Sequence, residues 1–241
     1  MHGMVLVVHI AVGAAALLAF WTAALARKGS RRHRAAGRIY LWAMWAILLS
    51  ALPLSLAFFG SGNPLSGVFF LYLLILVGTS VTVAPRAIRL KQDFTAFRGG
   101  LYGPLAWLQL GSGLAVVITG LWYLQPLLGV FGGVGVALSL RMLRLRRLAA
   151  APAGWWLREH FTAMIANGVA THIAFLGIGL VRLLPPDLAA QLQDLHLAWF
   201  GPLAVSGVAG TWLNLQHRRR FARPAATGLI TRPAALDEGA A

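Results

Sequence analysis

The chain has 241 residues, of which 59% are hydrophobic and only 11% are charged. Soluble domains carry about 25% charged residues, because these residues cover a surface that faces water. The composition therefore excludes an ordinary soluble domain and a disordered chain, and it indicates a protein embedded in a lipid bilayer. The sequence contains no cysteine, which excludes disulfides, thiolate metal ligands and cysteine nucleophiles.

Seven apolar segments approach the ~20 residues that a helix needs to cross the hydrocarbon core of a bilayer. They cover residues 4–26, 39–59, 67–85, 101–123, 127–143, 160–183 and 197–216. The fifth segment is short and rich in glycine, so it is either a tilted span or a broken one. We predict an all-α bundle of seven transmembrane helices that forms one domain over residues 1–221. Residues 222–241, rich in Ala, Pro, Gly and Thr, are predicted to be a mobile cytoplasmic tail.

The basic residues alternate between the two sides of this predicted bundle. All but one of the 21 Lys and Arg residues lie at or after the ends of spans 1, 3, 5 and 7. The exception is Arg182, and the loops near residues 60–66 and 124–126 carry no charge. The positive-inside rule then predicts an outside N-terminus and a cytoplasmic C-terminus in a bacterial inner membrane. Six spans would place one basic loop on the wrong side, so seven are favoured.

The first basic segment combines a turn with a candidate site for anionic groups. Gly29 is suited to the left-handed residue that ends a helix, and Ser30 to the N-cap of the next helix. The side chains that follow are expected at the depth of the lipid headgroups, where cations meet anionic lipid. They form either an orientation anchor or a binding site for a phosphate or carboxylate group. The predicted contacts are Arg31, Arg32, His33, Arg34 and Arg38.

A longer stretch around this turn is similar to a known family. Its residues are His9-Ile10, Gly13, Ala16-Leu17, Lys28-Gly29-Ser30, His33-Arg34, Gly37-Arg38, Tyr40 and Met44. This order resembles that of a family of bacterial multi-pass membrane proteins catalogued as domain of unknown function 2306. His160 followed by Met164 is a second, weaker likeness. The resemblance implies a multi-pass membrane protein and implies no activity.

Histidines are the ionisable residues that fall at membrane depth, where polar side chains are costly and mark functional sites. His9, His172 and His196 are expected in the outer half of the bundle, and His160 at its inner end. Two layers of histidine suit a membrane cytochrome with two b-type haems, and neutral histidine is also a common metal ligand. Hydrogen bonding between helices is the alternative explanation for each of them.

A polar stripe follows one face of the sixth span. His160, Met164, Asn167 and Thr171 are separated by steps of four, three and four residues, so they share that face. Lipid would leave the Asn167 amide without a partner, so the stripe is expected to face the interior of the bundle. We predict that this span lines a functional cavity.

Two classes of function follow from these observations. The first is a redox or metal-handling membrane protein, with b-type haem as the specific cofactor, or a protein that helps to assemble a respiratory complex. The second is a carrier or sensor of a small apolar or anionic molecule, with the span 6 stripe and the first basic segment as contacts. A structural or lipid-organising subunit is a third interpretation. The predicted haem ligands are His9, His172, His196 and His160, and the predicted cavity contacts are Asn167 and Thr171.

The expected partners are the bilayer and its anionic headgroups. Nucleic acid is not expected, because the basic residues are divided among short segments beside the membrane. A membrane-protein partner and a second copy of the chain both stay open. The sequence has no phosphate-binding glycine loop, no nucleophile elbow and no pair of carboxylates, so it favours no enzyme class.

Overall fold

The computed structural model describes residues 2–194 and 196–222. Within these residues the chain forms helices and connecting turns without a strand, which confirms the predicted all-α class. The α-helices of this part are α1 His2–Leu25, α2 Arg31–Gly60, α3 Pro64–Arg89, α4 Phe94–Arg98, α5 Tyr102–Trp122, α6 Pro126–Arg147, α7 Trp155–Ile173, α8 Pro186–Asp194 and α9 Leu197–Ala222. The predicted tail lies outside the described residues from position 223 onward.

Six helical segments of the described chain are long and apolar enough to cross a membrane. They are α1, α2, α3, α4 with α5, α6, and α7 with the turns that continue it. α9 also has the length, with 26 residues, but it is not among the described helices that are apolar enough. The chain is therefore a multi-pass membrane protein by length and composition, with six candidate crossings in its described part.

The turn between α1 and α2 has the structure that its residues predict. Gly29 has a φ of 78°, in the left-handed region that favours glycine. Ser30 is the N-cap of α2, and its hydroxyl oxygen accepts a hydrogen bond from the backbone N–H of His33 at 3.2 Å. α2 begins at Arg31, as the Ser30 cap predicts, and so extends beyond the apolar segment 39–59, because hydropathy detects the hydrocarbon layer only. A helix can continue into the headgroup layer when its basic side chains extend into water.

α5 and α6 form a hairpin whose helices approach closely. α6 is an unbroken helix of 22 residues, with a proline in its first turn. A Cβ atom at Gly120 would lie 2.5 Å from the backbone nitrogen of Gly129, and one at Gly132 would lie 2.8 Å from that of Val117. Glycine at these positions therefore permits the contact between the two helices. Gly111, also on α5, has nothing within 4 Å of such a Cβ.

α3 is the central helix of the bundle and packs against α2, α5 and α7. α1 packs along α2, and α9 packs against α7. The helix ends that carry the basic residues meet on one side, where the Arg98 guanidinium donates to the carbonyl of Leu148. On the other side, the Trp199 ring packs against Phe69 and Phe131, with ring centroids 5.6 and 5.9 Å away. The helices thus alternate in direction.

Candidate functional site

A large apolar cavity lies among α1, α2, α3, α6, α7 and α9. Its volume is about 730 Å³, within the range of about 300–1,000 Å³ that is usual for small-molecule sites. Most of the side chains that line it are aliphatic or aromatic. The polar lining residues are His9, Ser55, Ser80, Thr162, Thr171, Ser206, Thr211 and Asn214. The cavity therefore suits a molecule with an apolar body and few polar groups.

One wall of this cavity is formed by the irregular segment that continues α7. The helix continues beyond Ile173 through a π-helical segment, Ala174–Gly179, and then a 3-10 turn, Leu180–Arg182. Ala174, Phe175 and Ile178 from the π-helical segment line the cavity. A π-helical turn widens a helix locally, and such turns are frequent at functional sites.

His9 is the titratable residue among the described residues that line the cavity. Its Nδ1 lies 2.8 Å from the hydroxyl oxygen of Ser50. Ser50 donates its own hydroxyl hydrogen to the backbone carbonyl of Ala46 at 2.8 Å, so its oxygen accepts from His9. In the neutral ring this arrangement places the hydrogen on Nδ1 and leaves the lone pair on Nε2. No other described group hydrogen-bonds to Nε2.

The other two outer histidines lie in different surroundings. His172 donates from Nδ1 to the carbonyl of Gly168 at 2.7 Å, and its Nε2 accepts from the Trp21 indole at 3.0 Å. Both ring nitrogens are thus engaged, so His172 would lose a hydrogen bond on ligating a metal. His196 precedes α9 with a φ of 50° and packs against the Phe200 ring. Among the described residues, no three or more His, Asp or Glu form a group that could hold a metal ion.

Two histidines from distant parts of the chain meet at the end of the bundle that carries the basic residues. The rings of His33 and His160 have centroids 6.5 Å apart and planes at 78°. His33 Nδ1 lies 2.9 Å from the carbonyl of Ala23, and His160 Nδ1 lies 3.0 Å from the carbonyl of Ala84. Because a carbonyl can only accept, both Nδ1 atoms carry a hydrogen, so in a neutral ring Nε2 is the nitrogen with the free lone pair. Metal-ligating histidines commonly have this arrangement.

Two of the basic side chains beside this pair stabilise the turn, and the arginines of the segment are exposed. Lys28 donates to the carbonyl of Ala24 at 2.5 Å, and partial burial lowers the pKa of its ammonium group. Arg34 donates to the carbonyl of Gly29. These arginines make no ion pair with another described residue, so they remain available for the predicted headgroup contacts. The exposed arginines of this segment are Arg31, Arg32, Arg34 and Arg38.

The polar stripe of α7 faces the interior of the bundle, as its spacing predicts. Thr171 accepts a hydrogen bond from the Tyr40 hydroxyl at 2.8 Å and donates to the carbonyl of Asn167 at 2.9 Å. Asn167 is 0% exposed, and neither polar atom of its side chain has a partner among the described residues. Ala166, Ala170 and Thr171 line the cavity, whereas Asn167 does not. α7 therefore contributes to the cavity through a neighbouring face of the helix.

An ion pair that the sequence analysis missed joins α6 to α7. The Arg141 guanidinium donates two hydrogen bonds to the Glu159 carboxylate, at 2.5 and 3.0 Å, and the Tyr102 hydroxyl donates a third at 3.3 Å. Glu159 is 1% exposed. It is also the one acidic residue in the six candidate crossings, and this isolation is the signal that could have found it.

A small second cavity of about 30 Å³ lies beside this ion pair. Arg141 and Gln109 line it, and the Arg141 Nε has no hydrogen-bond partner among the described residues. A space of this size holds a single water molecule, which is the usual partner of such a buried donor. The small cavity therefore belongs to the ion pair and is too small for an organic ligand.

No family model, curated protein or solved structure matches the chain. Its class follows from the fold and the composition: a multi-pass helical membrane protein with an apolar cavity. The likeness to the family of domain of unknown function 2306 stays a prediction. Residues from the two parts of that likeness meet in the structure, since His33 lies beside His160.

Proposed function

We propose that the protein binds a small apolar molecule within the membrane and acts as a carrier or sensor of that molecule. The 730 Å³ cavity is the observation that carries this proposal. Apolar walls of this extent gain dispersion contacts with an apolar molecule that fills the cavity. Ile10 and Phe175 line the cavity and are 53% and 42% exposed, so the cavity opens toward lipid.

Photoaffinity labelling in lipid nanodiscs tests the proposal. An alkyl diazirine probe is expected to label cavity residues such as Leu48 and Ala170 in a saturable way. Leu49 and Trp42 are 71% and 75% exposed on the outer surface of the same bundle, so they report labelling from the bilayer alone. Excess unlabelled hydrocarbon should abolish labelling of the cavity residues only. Uniform labelling of both groups, without competition, would contradict the proposal.

The proposal places seven crossings in a bacterial cytoplasmic membrane, with an outside N-terminus and a cytoplasmic C-terminus. The packing of α9 along α7 supports the seventh crossing. Arg158 donates to Asn214 at 3.0 Å, and His217 donates to the carbonyl of Gly154 at 3.1 Å, both near the start of α7. A fluorescent protein fused after residue 222 should fluoresce, and alkaline phosphatase at the same point should be inactive. The reverse pair of results would contradict this topology.

A second candidate function is the redox or metal-handling role, with b-type haem as the cofactor or a task in respiratory assembly. The Nδ1 atoms of His33 and His160 donate to carbonyls, so their Nε2 atoms are available as ligands. This favours the second function, because neutral imidazole nitrogen is a common ligand of iron. The test is an optical spectrum of the purified protein before and after reduction with dithionite, with metal analysis of the same sample. Soret and α bands that disappear in His160→Ala would support this role. A colourless, metal-free protein from haem-replete cells would contradict it.

A further inference from the structure

The hydrogen bonds of His9 determine which polar group an occupant of the cavity can present. We infer that the occupant is a membrane-soluble alcohol or phenol whose hydroxyl donates a hydrogen bond to the Nε2 of His9. The inference rests on the proposed function, because it names the class of molecule that the same cavity holds. It goes further by assigning a role to one nitrogen atom.

The orientation of the Ser50 hydroxyl decides which nitrogen of the neutral His9 ring carries the hydrogen. The hydroxyl has main-chain acceptors at Ala46, 2.8 Å away, and at Ile47, 3.1 Å away. While the hydroxyl donates to either carbonyl, its oxygen accepts from His9 Nδ1. His9 and Ser50 together then make two hydrogen bonds. If the hydroxyl turned to donate to Nδ1, the carbonyl bond would be lost. Nε2 would then carry a hydrogen without an acceptor, and one bond would remain.

A ligand hydroxyl fits the favoured arrangement directly. It donates to the unprotonated Nε2 and brings the total to three hydrogen bonds. A ligand carbonyl or ether can only accept, so a carbonyl reaches a total of two, after the Ser50 hydroxyl has turned. The difference of one hydrogen bond corresponds to a preference of about three- to tenfold in affinity. The cavity is therefore expected to select a hydroxyl over the matching carbonyl or ether.

The rest of the ligand is apolar and uncharged. Leu6, Ile10 and Gly13, which are the neighbours of His9 on α1 at the cavity, offer no polar side chain. A protonated amine is also a hydrogen-bond donor, but the described lining residues include no acid that could neutralise it. Burying that charge without a counter-ion is strongly unfavourable. An alcohol or phenol on a hydrocarbon body meets these requirements.

The test compares para-nonylphenol with its methyl ether as competitors of tritiated para-nonylphenol, with the full chain in lipid nanodiscs. The wild type should prefer the phenol by about three- to tenfold, and His9→Phe should remove the preference because phenylalanine has no acceptor. Leu73→Val is the matched control, because Leu73 lines the cavity without a polar group. This control variant should weaken the binding of both probes equally. Differences in bilayer partition cancel when the ratio is compared between variants.

Ser50→Ala provides an independent test that keeps the His9 ring. Without the serine oxygen, neither ring nitrogen is preferred for the proton, so para-nonylphenol should lose its advantage over a nonyl phenyl ketone. A preference for the phenol over its methyl ether in His9→Phe, or over the ketone in Ser50→Ala, would overturn the inference. So would equal binding of both probes by the wild type, although the apolar site would stand. An absence of saturable binding of either probe would overturn the proposed function itself.

Discussion

Arg141 on α6 and Glu159 on α7 form an ion pair with two hydrogen bonds, of 2.5 and 3.0 Å. The pair joins the α5–α6 hairpin to α7, and these two parts otherwise pack mainly through α3. Because Glu159 is 1% exposed, its charge is neutralised by the guanidinium and not by water. A charged side chain in such a position is costly unless it is paired.

Removing either partner of this ion pair should destabilise the protein. We expect Arg141→Gln to lower the free energy of unfolding by about 3–5 kcal/mol, because it leaves the buried Glu159 carboxylate unpaired. Glu159→Gln should cost less, because the Arg141 side chain that it leaves unpaired is 28% exposed. The double variant should lose less than the two single losses combined, with a coupling of about 1–3 kcal/mol. Unfolding by sodium dodecyl sulfate in mixed micelles measures these energies.

Arg144→Gln is the matched control for the ion pair, since Arg144 is an exposed arginine of the same helix. It should change the unfolding energy by less than about 0.5 kcal/mol. Equal losses in Arg144→Gln and Arg141→Gln, or a double variant with fully additive losses, would show that the ion pair does not hold α6 and α7 together.

Replacing Asn167 with leucine should not harm the fold. The buried amide has no partner among the described residues, and leucine has the same branched shape without polar atoms to desolvate. We expect Asn167→Leu to be neutral or to stabilise the protein by up to about 2 kcal/mol, with ligand binding unchanged. Thr171→Val should instead cost about 1 kcal/mol, because it removes the acceptor of the Tyr40 hydroxyl. Strong destabilisation by Asn167→Leu would indicate that the amide has a bound partner.

The glycines of α5 and α6 allow a comparison of two adjacent positions. Gly132→Ala should lower the melting temperature, because its Cβ would lie 2.8 Å from the backbone nitrogen of Val117. Overpacking of this kind costs about 1–3 kcal/mol. Gly133→Ala should leave the melting temperature unchanged or raise it, because nothing lies within 4 Å of that Cβ and alanine favours helices. The opposite order of the two melting temperatures would refute this packing.

Signals that act over a few residues predicted the structure well. Gly29 and Ser30 form the turn and the cap that their side chains suggest, because a left-handed turn and an N-cap depend on neighbouring backbone only. Apolar segments likewise predicted the six candidate crossings of the described chain. The apolar segment 39–59 marks only part of α2, since hydropathy stops at the hydrocarbon boundary, whereas the Ser30 cap gives the start of the helix at Arg31.

Contacts between distant helices could not be predicted from the sequence. His33 and His160 meet because α2 and α7 turn particular faces toward each other, and the spacing within one helix does not fix which neighbour that face meets. The same holds for Arg141, which the sequence marks only as one more basic residue near a helix end. His172 shows the converse, since its depth suggested a ligand while its two nitrogens bond to Gly168 and Trp21.

Saturable binding of tritiated para-nonylphenol by the protein in lipid nanodiscs tests the central claim most directly. The comparison uses the wild type, Ala51→Trp, which places a large ring in the cavity, and Leu49→Trp, which changes a side chain that is 71% exposed to lipid. The cavity predicts saturable binding by the wild type and by Leu49→Trp, and its loss in Ala51→Trp. Binding by the wild type no greater than that of empty nanodiscs, or equal binding by all three proteins, would contradict it.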